Sequence, residues 1–273
     1  MSNLAERPLR SAYPRNLEAL PEGVYLDRRY GLRFASSAAD LAAVQKLRFE
    51  VFNLELGEGL ESAYATGRDE DEFDPWYHHL MVLDRESGAI VGTYRLQTRD
   101  MAEAGRGFYA ATEFDLGGLP DEMLTGSVEV GRACVHEDHR NGRVLHLLWW
   151  GLIRYATWNN RRYLFGCCSV DSREQAAGWG LYEALSAQGL RHPDWTVSPL
   201  PELICEAGEA ELPELPPLFA SYVKLGAKIC GAPALDASFG VIDFFMVIDL
   251  DELGPSARRR LFRPLDWSAV CAG

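Results

Sequence analysis

The stretch Glu129-Val-Gly-Arg-Ala-Cys-Val-His-Glu-Asp-His-Arg-Asn-Gly-Arg-Val-Leu145 decides the fold, because it joins a strand to a helix through a turn rich in arginine, asparagine and glycine. The strand is predicted over 127–135, with a glycine of the kind that marks a β-bulge. The helix is predicted over 144–158, which is too long and too apolar for a strand. A buried strand over 163–170 follows, so the order predicts a parallel βαβ unit.

The turn before the helix has the features of a phosphate site. A helix that begins at such a turn presents free backbone N–H groups to an anion. Arg140 and Arg143 add positive charge at the same place. The same arrangement also occurs as a plain connection between a strand and a helix, so the turn alone leaves both interpretations open.

Outward from this unit, apolar periodicity predicts an amphipathic helix over 37–52 with Ser37 as its cap. Two apolar runs over 79–84 and 89–96 predict an antiparallel hairpin, which makes the central sheet mixed. The remaining elements are predicted as helices over 175–187 and 216–226, a short segment over 108–114 and a final strand over 241–250.

Length and composition predict one packed α/β domain in a chain of 273 residues with 47% hydrophobic and 25% charged residues. Residues 1–30 are predicted to form an N-terminal arm, and residues 31–273 a single domain with an extended C-terminal part. The tract 193–217 is rich in proline and glutamate and is predicted to be a surface excursion.

The chain is predicted to be cytoplasmic, with peripheral membrane contact left open. No stretch reaches the roughly 18 apolar residues of a spanning helix, and the N-terminus lacks a basic start followed by an apolar core. The six cysteines show no CxxC pair, which favours reduced thiols. The residues give no prediction of oligomeric state.

The formal net charge of -13 argues against a nucleic-acid partner, which normally binds a basic face. Arginines are nevertheless concentrated between residues 132 and 173. They predict either a local basic surface on an acidic protein or scattered solvated side chains.

The turn resembles the pantetheine-binding motif of GNAT acyltransferases, a Q/R-x-x-G-x-G/A loop that receives the phosphates of the cofactor. The matching residues here are Arg140, Asn141, Gly142, Arg143 and Val144. The second small residue of the motif is missing. That departure favours an acyl carrier protein (ACP), whose phosphopantetheine arm has one phosphate, as the donor, and leaves acyl-CoA as an alternative.

Residues 31–190 resemble the ornithine acyl-ACP N-acyltransferase (hemolysin-like) family of the GNAT superfamily. Six ordered blocks carry the resemblance: 47–52 (LRFEVF), 70–74 (EDEFD), 91–96 (VGTYRL), 107–115 (GFYAATEFD), 129–136 (EVGRACVH) and 164–169 (LFGCCS). Some of these landmarks also resemble acyl-homoserine lactone synthases. The resemblance implies a GNAT fold with a mixed central sheet flanked by helices, and transfer of a long-chain acyl group to the amine of ornithine or a similar amino acid.

The reaction implies roles for residues of the central strand. A protonated amine cannot attack a thioester, so a base is needed, and Glu129 is the candidate, with Arg132 beside it. The alternative is a structural pairing of Glu129 with Arg132 or Arg95. In GNAT folds the oxyanion is bound by backbone amides at a bulge on this strand, here near Ala133 to Val135, which includes Cys134.

Four charged residues of the first blocks resemble the paired charges that shape the amine pocket of the family: Arg48, Asp71, Asp74 and Arg95. There a carboxylate can hold a cationic amine and an arginine can hold a carboxylate. The resemblance adds Phe52 to the substrate-binding residues. A surface charge network is the alternative.

Two further chemistries are disfavoured. Direct transfer makes Cys134 a bystander, although a ping-pong enzyme could acylate it with help from His136. The pair His78-His79 lacks companions at a known metal spacing, so no metal is predicted.

Apolar and basic surfaces suggest where the donor binds. Residues 145–158 and Phe244-Phe245 could line an acyl tunnel, although such stripes are more often core. Five arginines could dock an acidic carrier protein: Arg140, Arg143, Arg154, Arg161 and Arg162. A lactone synthase-like enzyme and a non-catalytic acyl-carrier or lipid-binding module remain the alternative functions.

Overall fold

The computed structural model describes residues 13–268 of the chain. Residues 1–12, which are the first part of the predicted arm, and Cys271 lie outside the described residues.

The strands within the described residues are short at both ends of the chain and longest in its middle part and over Val241–Asp249. They are β1 (Val24–Leu26), β2 (Tyr30–Phe34), β3 (His78–Asp84), β4 (Ile90–Thr98), β5 (Phe114–Asp115), β6 (Ser127–Val135), β7 (Tyr163–Val170), β8 (Ser198–Pro199), β9 (Lys228–Ile229), β10 (Ala234–Asp236), β11 (Val241–Asp249) and β12 (Trp267–Ser268).

The main sheet has the order β10-β11-β7-β6-β4-β3-β2-β1-β12, with β9 paired to β11, and β5 and β8 form a separate ribbon. β6 and β7 are parallel, and the other pairs in the sheet are antiparallel. The predicted mixed sheet and its parallel βαβ unit are therefore confirmed.

The helices are α1 (Ala38–Arg48), α2 (Ala63–Thr66), α3 (Arg99–Ala104), α4 (Asp121–Thr125), α5 (Arg143–Trp158), α6 (Gln175–Ala187), α7 (Pro217–Lys224) and α8 (Pro255–Leu261). The Ser37 hydroxyl caps α1 by accepting a hydrogen bond from the Asp40 amide. α1 continues as a π-helical segment over Phe49–Leu56.

The two faces of the sheet carry different layers. α5 packs on β2, β3, β4 and β6 over the largest apolar core, and Leu164 of β7 and Met246 of β11 belong to the same core. α1 packs on β3, β4 and β6 from the other face, where Leu47 meets Cys134. The same face carries a second core around Phe165 and Phe245.

Several elements have no counterpart in the sequence patterns. β1 and β2 straddle the predicted arm boundary at residue 30 and add two strands to the sheet. β12 pairs with β1 and brings the C-terminal part to the same edge. These strands are only two to five residues long, which is too short for period-two alternation to stand out.

Candidate active site

The parallel strands β6 and β7 pair only at their beginnings. Their register runs from Ser127 opposite Tyr163 to Glu129 opposite Phe165, although both strands continue further. At the end of the paired part a Cβ on residue 166 would collide with the Val130 carbonyl oxygen, so the close approach requires Gly166. Beyond this point the two strands share no register, and a gap opens between them.

A bulge in β6 lies next to the gap. Tyr94 of β4 faces two residues of β6, Arg132 and Ala133, because the register shifts by one residue there. Arg132 has a φ of 46°, which is rare for a residue with a side chain. The bulge coincides with the position at which the sequence predicts an oxyanion site.

A cavity of about 620 Å³ passes through this gap and touches both faces of the sheet. On the α5 face its wall is mainly apolar and includes Leu145, Leu148, Trp149, Leu152, Phe219, Tyr222, Met246 and Ile248. On the α1 face its wall combines the rings of Phe52 and Phe165 with polar side chains, which are those of Tyr77, Arg95, Tyr109, Glu129, Ser169, Asp236 and Asp243. The cavity therefore offers an apolar chamber and a polar chamber that meet at the gap.

Glu129 is buried at the polar side, where four donors converge on its carboxylate. Tyr77 donates its hydroxyl hydrogen, the Gln97 Nε2 donates at 2.7 Å, and the amides of Tyr109 and Ala110 donate at 3.1 and 2.7 Å. Within residues 13–268 no ion pair joins Glu129 to an arginine. Burial raises the pKa of Glu129, and the hydrogen bonds of Tyr77 and Ala110 act in the opposite direction.

Arg132 turns away from Glu129 and forms an ion pair with Asp69. Its guanidinium carbon lies 4.4 Å from the ring centroid of Phe52 and 4.6 Å from that of Phe239. Phe52, Phe239 and Arg132 all line the cavity. The arginine thus connects the bulge to the cavity wall.

Arg48, Asp71, Asp74 and Arg95 form one ion-pair network with Asp69. Arg48 is fully buried and donates to both Asp74 oxygens at 2.7 and 2.9 Å and to Asp69 at 2.8 Å. Arg95 pairs with Asp71 and lies 3.1 Å from Asp74. Although burial opposes ionisation, Arg48 and then Arg95 hold the pKa of Asp74 well below its ordinary value.

Only part of this network reaches the cavity. Arg95 lines the wall beside Tyr77 and Tyr109, and Phe52 lines it from the π-helical segment that follows α1. Arg48 and Asp74 lie behind Arg95, where their charges compensate one another.

The turn before α5 is built around Gly142, whose φ of 81° favours glycine. The Asn141 side chain accepts a hydrogen bond from the Arg143 amide at 2.9 Å, and the first helical bond runs from His146 to Gly142. The amides of Val144 and Leu145 precede that bond, so the helix itself supplies them no partner. Arg140 pairs with Glu55 and Arg143 with Asp27.

Comparison with known proteins identifies the family. An L-ornithine N(alpha)-acyltransferase of Brucella abortus (strain 2308) is 35% identical over 246 residues, which cover 81% of this chain and 85% of that protein. A second, from Rhizobium meliloti (strain 1021), is 34% identical over 89% of this chain and 88% of that protein. The chain belongs to the L-ornithine N(alpha)-acyltransferase family. It is an N-acyltransferase.

Two further comparisons concern the fold of this acyltransferase. The family model described as an acetyltransferase (GNAT) domain matches residues 47–150, which run from α1 into α5. The solved structure of FeeM, an N-acyl amino acid synthase from uncultured soil microbes, is 11% identical with a TM-score of 0.48, over 82% of this chain and 92% of that one. The expected GNAT fold is confirmed by the family model.

Cys134 of the acyltransferase is buried against Leu47 and Val51. Burial raises the pKa of its thiol to about 12, against the smaller effect of Arg48. The thiolate that a ping-pong reaction requires is therefore strongly disfavoured. The five cysteines within residues 13–268 are all free thiols.

The histidine pair lies inside the domain. His78 contacts the Tyr155 hydroxyl at 2.8 Å and the Arg15 carbonyl oxygen at 2.7 Å, and His79 contacts the Asp74 carbonyl oxygen at 3.2 Å. Burial lowers the pKa of each imidazole to about 4. Both rings serve the packing between β3 and its neighbours.

The arginines that could dock a carrier protein are each engaged with acidic side chains or carbonyl groups. Arg161 pairs with Asp100, Arg162 with Asp249, and Arg154 donates to the Glu22 carbonyl oxygen at 2.8 Å.

No helix within residues 13–268 combines the length and the apolar character needed to cross a membrane.

The sequence patterns did not single out the partners of Glu129. Tyr77 lies immediately before β3 and Gln97 lies in β4, and both reach Glu129 only through the fold. The amides of Tyr109 and Ala110 belong to the block over 107–115, whose sequence carries no signal for a role of its backbone.

Proposed function

We propose that this N-acyltransferase moves a long-chain acyl group from acyl-ACP to the α-amine of ornithine. The names of its relatives support ornithine and its α-nitrogen as the acceptor. The cavity is the observation that carries the proposal, because its apolar chamber suits an acyl chain and its polar chamber suits an amino acid.

In this proposal Glu129 removes a proton from the incoming ammonium group, directly or through one water molecule. Its buried environment raises its pKa toward the range in which a carboxylate is an effective base. The neutral amine then attacks the thioester carbonyl carbon, and the carbon–sulfur bond breaks. The nitrogen loses a second proton, which the departing sulfur takes up, and the phosphopantetheine thiol leaves.

The bulge in β6 is the part of the site that we expect to stabilise the oxyanion formed from the thioester. We propose that β6 amides near Cys134 and Val135 donate to the oxyanion, since beyond Glu129 the strand shares no register with β7. Arg132 acts as a positioning residue that holds Phe52 and the bulge in place. Phe52 and Arg95 contact the acceptor, and Arg48, Asp71 and Asp74 fix Arg95 at the wall.

The turn at residues 140–144 is proposed to bind the single phosphate of the carrier arm. Gly142 permits close approach, and the amides of Val144 and Leu145 supply donors at the helix N-terminus. The guanidinium groups of Arg140 and Arg143 are paired with Glu55 and Asp27, so their charges are partly neutralised. This supports a donor with one phosphate over acyl-CoA, whose nucleotide diphosphate requires more positive charge.

The test is turnover of the purified protein with acyl-ACP or acyl-CoA and a panel of amines, read as free thiol release and as product mass. We expect N-acylornithine from acyl-ACP, and Glu129→Gln to lower kcat by about 10²–10⁴-fold while binding of acyl-ACP is retained. Glu122→Gln, an exposed residue with the same change of charge, is the control. Acyl-homoserine lactone from S-adenosylmethionine, or no turnover by the wild type, would contradict the proposal.

A further inference from the structure

Three carboxyl groups outside the proposed catalytic machinery meet in the interior of the domain. Glu113, Asp236 and Asp243 are 3%, 8% and 3% exposed, and each offers an oxygen that lies within 4.8 Å of the others. Glu113 follows the 3-10 turn Tyr109–Thr112, Asp236 is the last residue of β10, and Asp243 lies in β11.

Their hydrogen bonds leave acceptor capacity unused. Asp243 accepts from the Ser169 hydroxyl at 2.7 Å, and Asp236 accepts from the amides of Ser238 and Phe239 at 2.8 and 3.1 Å. Neither carboxylate oxygen of Glu113 has a partner at full hydrogen-bond distance and angle within residues 13–268, although Cys167, Tyr109 and Asp243 lie close enough for their side chains to influence its pKa. A buried carboxyl without a donor is costly, so its retention points to a partner that binds there.

The cluster faces the polar chamber of the cavity. Asp236 and Asp243 line the cavity directly. Glu129 is opposite Phe165 of β7, and Asp243 is opposite Ser169, four residues further along that strand. Since side chains alternate along a strand, Glu129 and Asp243 project from the same face of the sheet. The distance along β7 is about 13 Å, which places the cluster beside the bulge at Arg132.

No guanidinium or ammonium group within the described residues forms an ion pair with the cluster, and Arg132 acts on Asp243 only from a longer distance. Within the described chain, the ion pairs of the protein do not include Glu113, Asp236 or Asp243. Burial, and then repulsion by Asp243 and Asp236, raises the pKa of Glu113. Three carboxyl groups at this spacing cannot all be ionised unless a cation joins them.

We propose that Glu113, Asp236 and Asp243 bind the side-chain ammonium group of the acceptor amino acid. An ammonium group has three N–H donors and no acceptor, which matches three carboxyl groups that surround one point. A hard divalent metal would also accept carboxylate oxygens and would complete its shell with water or carbonyl oxygens, so the chelation experiment below distinguishes it from an ammonium group.

This inference rests on the proposed function, because it requires an amino acid with a second amine. When the α-nitrogen attacks the thioester, the side-chain amine is not the nucleophile and enters the site as a cation. The cluster would hold that cation while the α-amine lies at the gap. Acceptors are then selected by the presence and reach of the side-chain amine.

The experiment compares ornithine with norvaline, which has the same carbon chain without the side-chain amine, using acyl-ACP as donor. For the wild type we expect the KM of norvaline to exceed that of ornithine by about 10–100-fold, as for loss of a charge-assisted hydrogen bond. Asp243→Asn and Glu113→Gln should raise the KM of ornithine by a similar factor and leave the KM values of norvaline and acyl-ACP unchanged. Asp194→Asn, on an exposed loop, is the matched control.

The outcomes separate the two proposals. Turnover of no amino acid at all contradicts the proposed function, whereas turnover of ornithine and norvaline with equal KM in the wild type overturns the ammonium site alone. A variant that raises both KM values equally also overturns it. Loss of wild-type activity on treatment with EDTA, restored by Mg²⁺ or Mn²⁺, would assign the cluster to a metal instead. The wild-type comparison stands even if a variant fails to fold.

Discussion

Tyr77 donates its hydroxyl hydrogen to the Glu129 carboxylate, and the same hydroxyl accepts a hydrogen bond from Gln97 at 2.6 Å. Tyr77 is fully buried and its ring lies 4.7 Å from the Arg95 guanidinium. The tyrosine therefore joins the proposed base to the ion-pair network, and its hydroxyl favours the ionised form of Glu129.

Tyr77→Phe should shift the pH dependence of acyl transfer. Removal of the hydroxyl removes a hydrogen bond that lowers the pKa of Glu129, so this pKa rises further. The base must be ionised, and we expect the acidic limb of the kcat/KM profile to move up by about one pH unit. Tyr64→Phe, at an exposed tyrosine, should leave the profile in place. An unchanged acidic limb in Tyr77→Phe would show that the tyrosine hydroxyl does not influence the pKa of the catalytic base.

Cys134→Ser should retain activity. Because burial raises the pKa of this thiol to about 12, it is not a nucleophile near neutral pH. We expect kcat within about threefold of the wild type, since direct transfer uses no acyl-enzyme. Mass spectrometry of the wild type during turnover should detect no acyl adduct on Cys134. A stable adduct together with an inactive variant would establish a ping-pong route.

Leu152→Trp should shorten the preferred acyl chain. Leu152 is buried on α5, about two turns beyond the proposed phosphate site, and lines the apolar chamber, so a larger ring there reduces the space for the acyl chain. The measurement is the relative kcat/KM of saturated acyl-ACP donors of increasing length. Leu212→Trp enlarges an exposed leucine outside the cavity and should not alter the preference. Equal length profiles for the two variants would place the acyl chain elsewhere.

Asp243→Asn should stabilise the free protein. Burial raises the pKa of Asp243 above its value in the unfolded chain. The folded state therefore binds the proton more tightly, and its stability falls as the pH rises from the unfolded pKa to the folded pKa. We expect the variant to raise Tm by a few degrees near neutral pH and by little below about pH 4. Thermal unfolding across this pH range, with Asp194→Asn as control, measures the difference, and a Tm gain independent of pH would indicate a packing effect.

The local part of this fold was predictable, and the part assembled over long distances was not. The strand over 127–135, the turn at Gly142 and the helix that follows were predicted to within one residue, because their patterns are continuous in sequence. The three clustered carboxyl groups show the opposite case. Glu113 is more than a hundred residues from Asp236 and Asp243 in sequence, and the three meet only because the fold brings the turn before β5 next to β10 and β11.

Arg132 illustrates a second limit. Its proximity to Glu129 in sequence suggested a pair, but the bulge gives it a left-handed backbone and its side chain pairs with Asp69. A bulge changes the direction of the residues that follow it, and period-two reasoning does not anticipate that change. The functional prediction was stronger than the geometric one because it rested on ordered motifs.

The gap between β6 and β7 has a consequence for turnover. If the acyl chain lies on the α5 face and the amino acid on the α1 face, the finished product is a single molecule threaded between two strands. The product must leave from one face of the sheet. Either the acyl chain passes through the gap beside Gly166 behind the amino acid, or the amino acid passes through it behind the acyl chain. We therefore expect product release to slow as the chain lengthens, and lipid length to be limited by departure as well as by binding.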